Sequence, residues 1–124
     1  MSEELDIVVG KHVYANLYFG DREPPTDPEY LKNLLIEAAK IANAQPYDAF
    51  TYEGDHCVSA VVLVVESHLA IHVFPKLRYA TLDVYTCGSK SDPWKAFEYL
   101  IKELKPVVYT TNYTDRSSIP FSGQ

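Results

Sequence analysis

A glutamate, a serine and two histidines interrupt an otherwise apolar stretch, Val65-Glu66-Ser67-His68-Leu69-Ala70-Ile71-His72. Burying a polar group without a partner costs roughly 1–3 kcal/mol, so these side chains need hydrogen bonds or solvent. Two interpretations remain open on the residues alone. One is a hairpin with a solvated polar tip at Glu66-Ser67-His68. The other is a reactive centre, favoured because no Gly, Asn or Pro marks a turn and because His68 and His72 share one strand face.

The other chemistry-bearing residues exclude several common site types. No GxSxG motif surrounds Ser67, which argues against a serine hydrolase, and the five glycines form no phosphate-binding fingerprint. Cys57 and Cys87 have neither CxxC nor CxxH spacing, so we predict neither a disulfide scaffold nor a metal site. Taken alone, Cys57 is best interpreted as a buried thiol that packs as a small hydrophobic side chain.

Two amphipathic helices are predicted around these residues. Each opens with an N-cap aspartate followed by proline at the first helical position, Asp27-Pro28 and Asp92-Pro93. The second helix should end before Pro106. The apolar positions at helical spacing are Leu31, Leu34, Leu35, Ala38 and Ala42 in the first helix, and Phe97, Leu100, Ile101 and Leu104 in the second. Such faces are typical of helices that cover a sheet.

Six segments rich in β-branched and aromatic residues are predicted to be strands. They are His12 to Phe19, Tyr47 to Tyr52, Val58 to Val65, His68 to Phe74, Tyr79 to Thr86 and Val107 to Tyr113. The resulting order, β-α-β-β-β-β-α-β, predicts an α+β two-layer sandwich with a mainly antiparallel sheet covered on one face by two helices. The other sheet face is apolar enough to favour a dimer. The tail from Thr114 onward is expected to be loosely held.

Length, composition and charge limit the class of protein. A chain of 124 residues with 47% hydrophobic and 23% charged residues suits one domain spanning residues 1–124. A formal net charge of −6 argues against nucleic-acid binding. The longest apolar run, Val58 to Val65, is interrupted only by Ser59 and is too short to span a bilayer. The acidic N-terminus lacks an apolar signal core, so a cytoplasmic location is expected.

Three segments together closely resemble the short prokaryotic S-adenosylmethionine decarboxylase proenzymes: Val58-Ser59-Ala60, Glu66 to His72, and Asp83-Val84-Tyr85-Thr86-Cys87-Gly88. The resemblance extends to Gly10-Lys11-His12 and to Asp92-Pro93-Trp94-Lys95-Ala96-Phe97. It covers roughly residues 10 to 113. A Glu-Ser-His core with a histidine and a cysteine at the family's spacing is a specific signal.

The resemblance implies that the proenzyme cleaves itself between Glu66 and Ser67, giving a β chain of residues 1–66 and an α chain of residues 67–124. The new chain would begin with a pyruvoyl group made from Ser67, whose ketone forms a Schiff base with the substrate amine and acts as an electron sink. The resemblance assigns Ser59 to the processing intermediate and His72 to the base that drives β-elimination. It assigns Cys87 to the proton donor that acts after carbon dioxide leaves.

Departures from the family pattern concern substrate binding. The histidine is followed by Val73-Phe74-Pro75-Lys76 rather than Thr-Trp-Pro-Glu, so Phe74 keeps an aromatic ring while Lys76 reverses a charge. Asn16 replaces a glutamate common near the start, and Glu53 lies in an acidic segment where relatives often carry an aromatic residue. Phe74, Glu53 and Asn16 are therefore candidate substrate contacts.

Two substrates remain open, because some crenarchaeal members of this family resemble adenosylmethionine decarboxylases but decarboxylate arginine to agmatine. S-adenosylmethionine is preferred here only as the commoner activity, and its product would serve polyamine biosynthesis. The family also implies a homodimer of processed protomers. A third alternative is a non-catalytic paralogue that acts as a binding or assembly module.

Overall fold

The structure is a computed structural model that describes residues 8–119. Its seven strands are β1 (Gly10–Tyr18), β2 (Gln45–Glu53), β3 (Val58–Val65), β4 (Ser67–Phe74), β5 (Tyr79–Cys87), β6 (Val108–Tyr109) and β7 (Asn112–Asp115). Its two α-helices are α1 (Pro28–Ile41) and α2 (Pro93–Leu104), and a short 3-10 helix covers Pro75–Leu77. Within the described residues, the strands form one antiparallel sheet in the order β2-β3-β4-β5-β1-β6, and β7 also pairs with β1.

The helix starts are confirmed. The Asp27 side chain accepts a hydrogen bond from the Glu29 amide at 3.1 Å, and the Asp92 side chain accepts one from the Trp94 amide at 3.0 Å. Each cap satisfies a backbone donor that the first helical turn leaves free. Helix α2 ends at Leu104, where Lys105 adopts the left-handed conformation (φ 57°) ahead of Pro106.

Both helices pack on the same face of the sheet and share one apolar core. The core takes every second residue of the central strands, because side chains alternate between the two faces of a strand. The fully buried members with the largest side chains are Phe19, Leu17, Leu31, Leu35, Leu69, Ile71, Leu82, Leu100, Val13, Val62, Val73 and Val84. This arrangement confirms the predicted α+β two-layer sandwich.

The predicted strand over Val107 to Tyr113 is wrong, because this segment is divided into β6 and β7. The break follows from one side-chain contact. The Asn16 backbone N–H donates to the Thr110 hydroxyl at 2.9 Å instead of to a backbone carbonyl, so this residue pair keeps only the bond from the Thr110 N–H to the Asn16 carbonyl. The pairing register is the same on both sides of the break, since Leu17 faces Tyr109 and Tyr14 faces Asn112.

Two loop expectations are also corrected. Only Glu66 lies between β3 and β4, and Ser67 is 9% exposed, so the stretch is not a solvated three-residue tip. The tail is not loosely held from Thr114, because backbone hydrogen bonds continue to Ser118, whose amide donates to the Val8 carbonyl at 2.8 Å. Pairing with β1 and with Val8, just before β1, provides these bonds. The rest of the predicted tail, residues 120–124, lies outside the described residues.

The opposite face of the sheet carries large apolar side chains that remain at least one-third exposed. They include Tyr14, Tyr18, Phe50, Tyr52, Leu63 and Val65. Neither helix covers this face, which we call the open face. In the described part of the chain, no helix is long and apolar enough to cross a bilayer.

Candidate active site

Ser67 and Cys87 form the first of two side-chain pairs among the predicted site residues. Ser67 is the first residue of β4 and Cys87 is the last residue of β5, which pairs with β4. Their Oγ and Sγ atoms lie 3.2 Å apart. Strand pairing therefore places a hydroxyl and a thiol in contact next to the Glu66–Ser67 peptide bond.

A cavity of about 510 Å³ opens at this end of the sheet. Its lining combines apolar, aromatic and ionisable side chains: Tyr47, Leu63, Val64, Val65, Glu66, Ser67, His68 and Tyr85. Glu66 is exposed, whereas Ser67 is buried. The volume is in the range of small-molecule sites, and the Ser67 hydroxyl is on its wall.

Ser59 and His72 form the second pair. They face each other directly across β3 and β4, and Ser59 Oγ lies 2.7 Å from His72 Nδ1. Cys57 extends this pair, because its Sγ lies 3.3 Å from the same Ser59 oxygen. Cys57 is only half-buried, so its expected role as a buried hydrophobic residue is corrected. The contact with Ser59 was not visible in the sequence, where Cys57 belongs to no motif.

The two pairs are well separated within one chain. Ser67 and His72 lie five positions apart on β4, which corresponds to about 16 Å at the rise of an extended strand. Even an extended imidazole side chain spans less than half of this distance. The structure thus brings together Ser67 with Cys87 and Ser59 with His72, but it does not join the two pairs.

The three candidate substrate contacts lie away from Ser67. Phe74, at the far end of β4, stacks on Tyr79 with ring centroids 5.8 Å apart, and the Tyr79 hydroxyl donates to Asn16 Oδ1 at 2.9 Å. Glu53 is exposed and pairs with Val58 at the same end of the sheet. All three residues therefore belong to the end that carries the Ser59–His72 pair.

Tyr85 is a cavity residue that the sequence reasoning did not single out. The Arg116 guanidinium carbon lies 4.1 Å from the centroid of its ring, a cation–π contact. The rings of His12 and His68 flank it, with centroids 5.5 Å and 5.6 Å away. In the sequence, only the position of Tyr85 two residues before Cys87, on the same strand face, could have indicated that it belongs to the site.

An ionisable cluster surrounds Tyr85 on the open face. His12 Nε2 lies 2.9 Å from Asp83 Oδ1. Burial lowers the pKa of His68, and the Asp83 carboxylate partly opposes that shift. Burial also raises the pKa of Tyr85, with a further rise from the neighbouring Cys87 thiol. His68 therefore favours its neutral form, and Tyr85 keeps its hydroxyl proton.

No three His, Cys, Asp or Glu side chains within residues 8–119 are grouped so that they could hold a metal ion. The reactive groups beside the cavity include the Ser67 hydroxyl, the Cys87 thiol, the His68 imidazole and the peptide bond before Ser67. A nucleophile and an acid in contact beside a cavity can support attack on that peptide bond and proton transfer to a bound molecule.

Comparison with known proteins places this geometry in a family. The family profile for S-adenosylmethionine decarboxylase matches residues 11–117. A solved structure, the adenosylmethionine decarboxylase from Aquifex aeolicus, has a TM-score of 0.76 and 32% sequence identity. That alignment covers 94% of this chain and 97% of the solved chain.

Archaeal relatives are more similar in sequence. The arginine decarboxylase proenzyme of Hyperthermus butylicus is 53% identical, over 93% of this chain and 83% of the relative. The arginine decarboxylase proenzyme of Aeropyrum pernix is 51% identical, over 94% and 91%. The S-adenosylmethionine decarboxylase proenzyme of Sulfurisphaera tokodaii is 45% identical, over 90% and 91%. Since the family profile spans most of the chain and the fold agrees with a solved member, this chain belongs to the S-adenosylmethionine decarboxylase family and is a carboxy-lyase.

Proposed function

We propose that this chain is a self-cleaving proenzyme that cuts itself between Glu66 and Ser67 and becomes a pyruvoyl-dependent decarboxylase. The products are a chain of residues 1–66 and a chain of residues 67–124. The observation that carries the proposal is the contact of Ser67 Oγ with Cys87 Sγ at 3.2 Å beside a cavity, in a chain of this family.

Cleavage needs only groups of the chain and water. Ser67 Oγ attacks the carbonyl carbon of Glu66, and the bond from that carbon to the Ser67 nitrogen breaks, which leaves an ester. A base removes the Ser67 α proton, the Glu66 carboxylate leaves, and hydrolysis of the resulting enamine releases ammonia and produces the pyruvoyl group. The Ser59 hydroxyl is suited to stabilise the oxyanion, and His72 is suited to accept the α proton.

The residues around Ser67 fit such a group. Its ketone supplies an amine-reactive carbon and an electron sink for decarboxylation. Ser67 lies on the wall of a cavity large enough for an amino-acid substrate. The Cys87 thiol is close enough to that position to protonate the substrate carbon after carbon dioxide leaves.

We infer that two copies of the chain build each complete site. Ser59 and His72 are about 16 Å from Ser67 within one chain, so they reach it only from another copy. The open face carries large apolar side chains that a second copy would cover. Packing two open faces against each other, with strands running in opposed directions, brings the Ser59–His72 end of one copy to the Ser67–Cys87 end of the other.

Arginine is the substrate we propose. Arginine and S-adenosylmethionine both carry an α-amino acid head and a distant cation, which suits the acidic and aromatic cavity wall of Glu66, Tyr47 and Tyr85. The relatives at 53% and 51% identity are named arginine decarboxylase proenzymes, which favours arginine over the commoner family activity. Lys76 stands where the S-adenosylmethionine decarboxylase pattern has a glutamate, so any substrate contact that this glutamate makes is absent here.

S-adenosylmethionine remains the second candidate. The relative at 45% identity is named an S-adenosylmethionine decarboxylase proenzyme, and the family profile carries the same activity. Its product would donate aminopropyl groups in polyamine biosynthesis.

Intact mass spectrometry tests both the self-cleavage and the choice of substrate. The purified protein should give two fragments split at Glu66/Ser67, the second of which begins with the pyruvoyl group. Incubation with arginine or S-adenosylmethionine under cyanoborohydride should then attach the decarboxylated substrate to the 67–124 chain as a reduced Schiff base, with loss of one water and gain of two hydrogens. An arginine-derived adduct and agmatine release support the first candidate. An adduct only with S-adenosylmethionine supports the second, and an uncut chain of 14.0 kDa would favour the non-catalytic binding module.

A further inference from the structure

Three polar side chains, Cys57, Ser59 and His72, form a continuous hydrogen-bonded series on the open face. The Sγ–Oγ distance is 3.3 Å and the Oγ–Nδ1 distance is 2.7 Å. Both contacts end on the single oxygen of Ser59. Cys57 is therefore connected to His72 through a hydroxyl that has one hydrogen to donate.

The direction of this series follows from the strengths of its members. An imidazole nitrogen is a strong acceptor, whereas a thiol sulfur is a weak one. In the proposed arrangement the Ser59 hydroxyl donates to His72 Nδ1 across the 2.7 Å contact, because a neutral imidazole nitrogen is the strongest acceptor in the series. The Cys57 S–H then donates to the lone pair that Ser59 has left.

The geometry points to Cys57 as a positioning residue for self-cleavage. By donating to Ser59 Oγ, the Cys57 thiol holds the Ser59 hydroxyl toward Nδ1 and keeps His72 in the tautomer protonated at Nε2. Nδ1 then carries no proton of its own, so it can accept the α proton of the partner copy's Ser67 once the Ser59 hydroxyl turns from Nδ1 to the oxyanion. This inference rests on the proposed function, since it assumes that Ser59 and His72 act in processing.

An alanine at position 57 leaves the Ser59 lone pair without a donor. The hydroxyl can then rotate away from Nδ1, or accept from a protonated Nδ1, so the proton-accepting arrangement is less populated. Losing one neutral hydrogen bond of this kind should slow processing about threefold to tenfold. A serine at position 57 restores a donor. Alanine and serine differ by one hydroxyl, which makes them a matched pair.

The test measures processing rather than decarboxylation. Freshly synthesised wild-type, Cys57→Ala and Cys57→Ser chains are followed by gel for conversion of the 14.0 kDa chain into two fragments. We expect Cys57→Ala to be slow and Cys57→Ser to be close to wild type. Equal rates in all three, or equal slowing in both variants, would overturn the inference, because a packing role gives no rescue by serine.

A second measurement reads the tautomer directly. In the Ser67→Ala background, where the chain stays intact, ¹H–¹⁵N correlation spectra of the His72 ring should show the Nε2–H tautomer. Adding Cys57→Ala should reduce that population, and adding Cys57→Ser should not. An unchanged His72 ring in Cys57→Ala would contradict the inference. A wild-type chain that is never cut contradicts the proposed function instead, so the two failures are distinguishable.

Discussion

Ser67 and His72 lie on the same strand, β4, five residues apart, so the peptide bond to be cut and the proposed base are about 16 Å from each other. Each has a partner of its own: Ser67 contacts Cys87, and His72 contacts Ser59. A β-strand is too stiff to fold these positions together. The separation supports the proposal that a second copy packs on the apolar open face and completes the site.

Mixing two inactive variants tests the shared site. Ser67→Ala cannot be cut, and His72→Ala lacks the base, so neither should be processed when produced alone. In a mixed dimer, the Ser67 of the His72→Ala chain meets an intact Ser59–His72 pair, so about half of the His72→Ala chains should be cut when copies mix at random. Mass spectrometry of the co-expressed proteins measures this. Absence of any cut His72→Ala chain would contradict a site built from two copies.

Replacing the proposed nucleophile should abolish cleavage without unfolding the protein. Ser67→Ala removes one hydroxyl from a buried position, so the chain should remain intact at 14.0 kDa and keep its melting temperature within a few degrees. Ser91→Ala is a matched control, since Ser91 is also a buried serine and its hydroxyl hydrogen-bonds Thr86 at 2.9 Å. That control should still be cut. Cleavage of Ser67→Ala at the same bond would overturn the assignment.

The Cys87 thiol should matter more for decarboxylation than for cleavage. Cys87→Ser keeps a small polar side chain next to Ser67, so processing should continue. A serine hydroxyl is a much weaker acid than a thiol, so the decarboxylation rate should fall by roughly 10²-fold. Carbon dioxide release per processed chain is the measurement. A processed Cys87→Ser protein with wild-type turnover would show that the proton comes from another group.

Stability should depend on pH through His68. Burial lowers its pKa, so the unfolded chain binds more protons than the folded chain between that lowered pKa and about 6.5. The stabilisation is therefore complete above the unfolded value and is lost as the pH falls through the folded value. The Asp83 carboxylate raises the pKa of His68 and so reduces this pH dependence, whereas His12 and Arg116 lower the pKa further and increase it.

The measurement is the melting temperature of the uncut Ser67→Ala protein against pH, compared with Ser67→Ala/His68→Gln. The double variant should lose less stability on acidification, because it has no imidazole to protonate at this position. Identical profiles of melting temperature against pH for the two proteins would show that His68 is not the source of the pH dependence.

The Tyr85 ring should hold the chain after β7 in place. Arg116 lies over this ring at 4.1 Å, so Tyr85→Leu should lose a cation–π contact of about 0.5–1 kcal/mol, while Tyr85→Phe should keep most of it. Hydrogen exchange of the Arg116 and Ser118 amides measures the effect. These amides should exchange faster in Tyr85→Leu than in Tyr85→Phe. Equal exchange rates in the two variants would show that backbone pairing alone holds the chain after β7.

Much of the fold was predictable because local signals dominate it. The aspartate–proline pairs indicated both helix starts, and the run of β-branched residues located β3 with its observed bounds. The division between β6 and β7 was not predictable, because it depends on the Thr110 hydroxyl meeting the Asn16 amide across strands. The backbone pairing of residues 116–118 was not predictable for the same reason, since its partners, Val8 and Gly10, lie more than a hundred positions away.

The sequence by itself determined the chemical groups, since Glu66-Ser67, His72 and Cys87 stand at spacings that identify the family, and it determined the two helices and the antiparallel sheet. Only the tertiary structure decided which of these groups meet. Strand register joins Ser67 to Cys87 and Ser59 to His72, and the same register keeps the two pairs apart. Register is set by packing of one whole sheet face against the helices, so no local pattern of residues could reveal it.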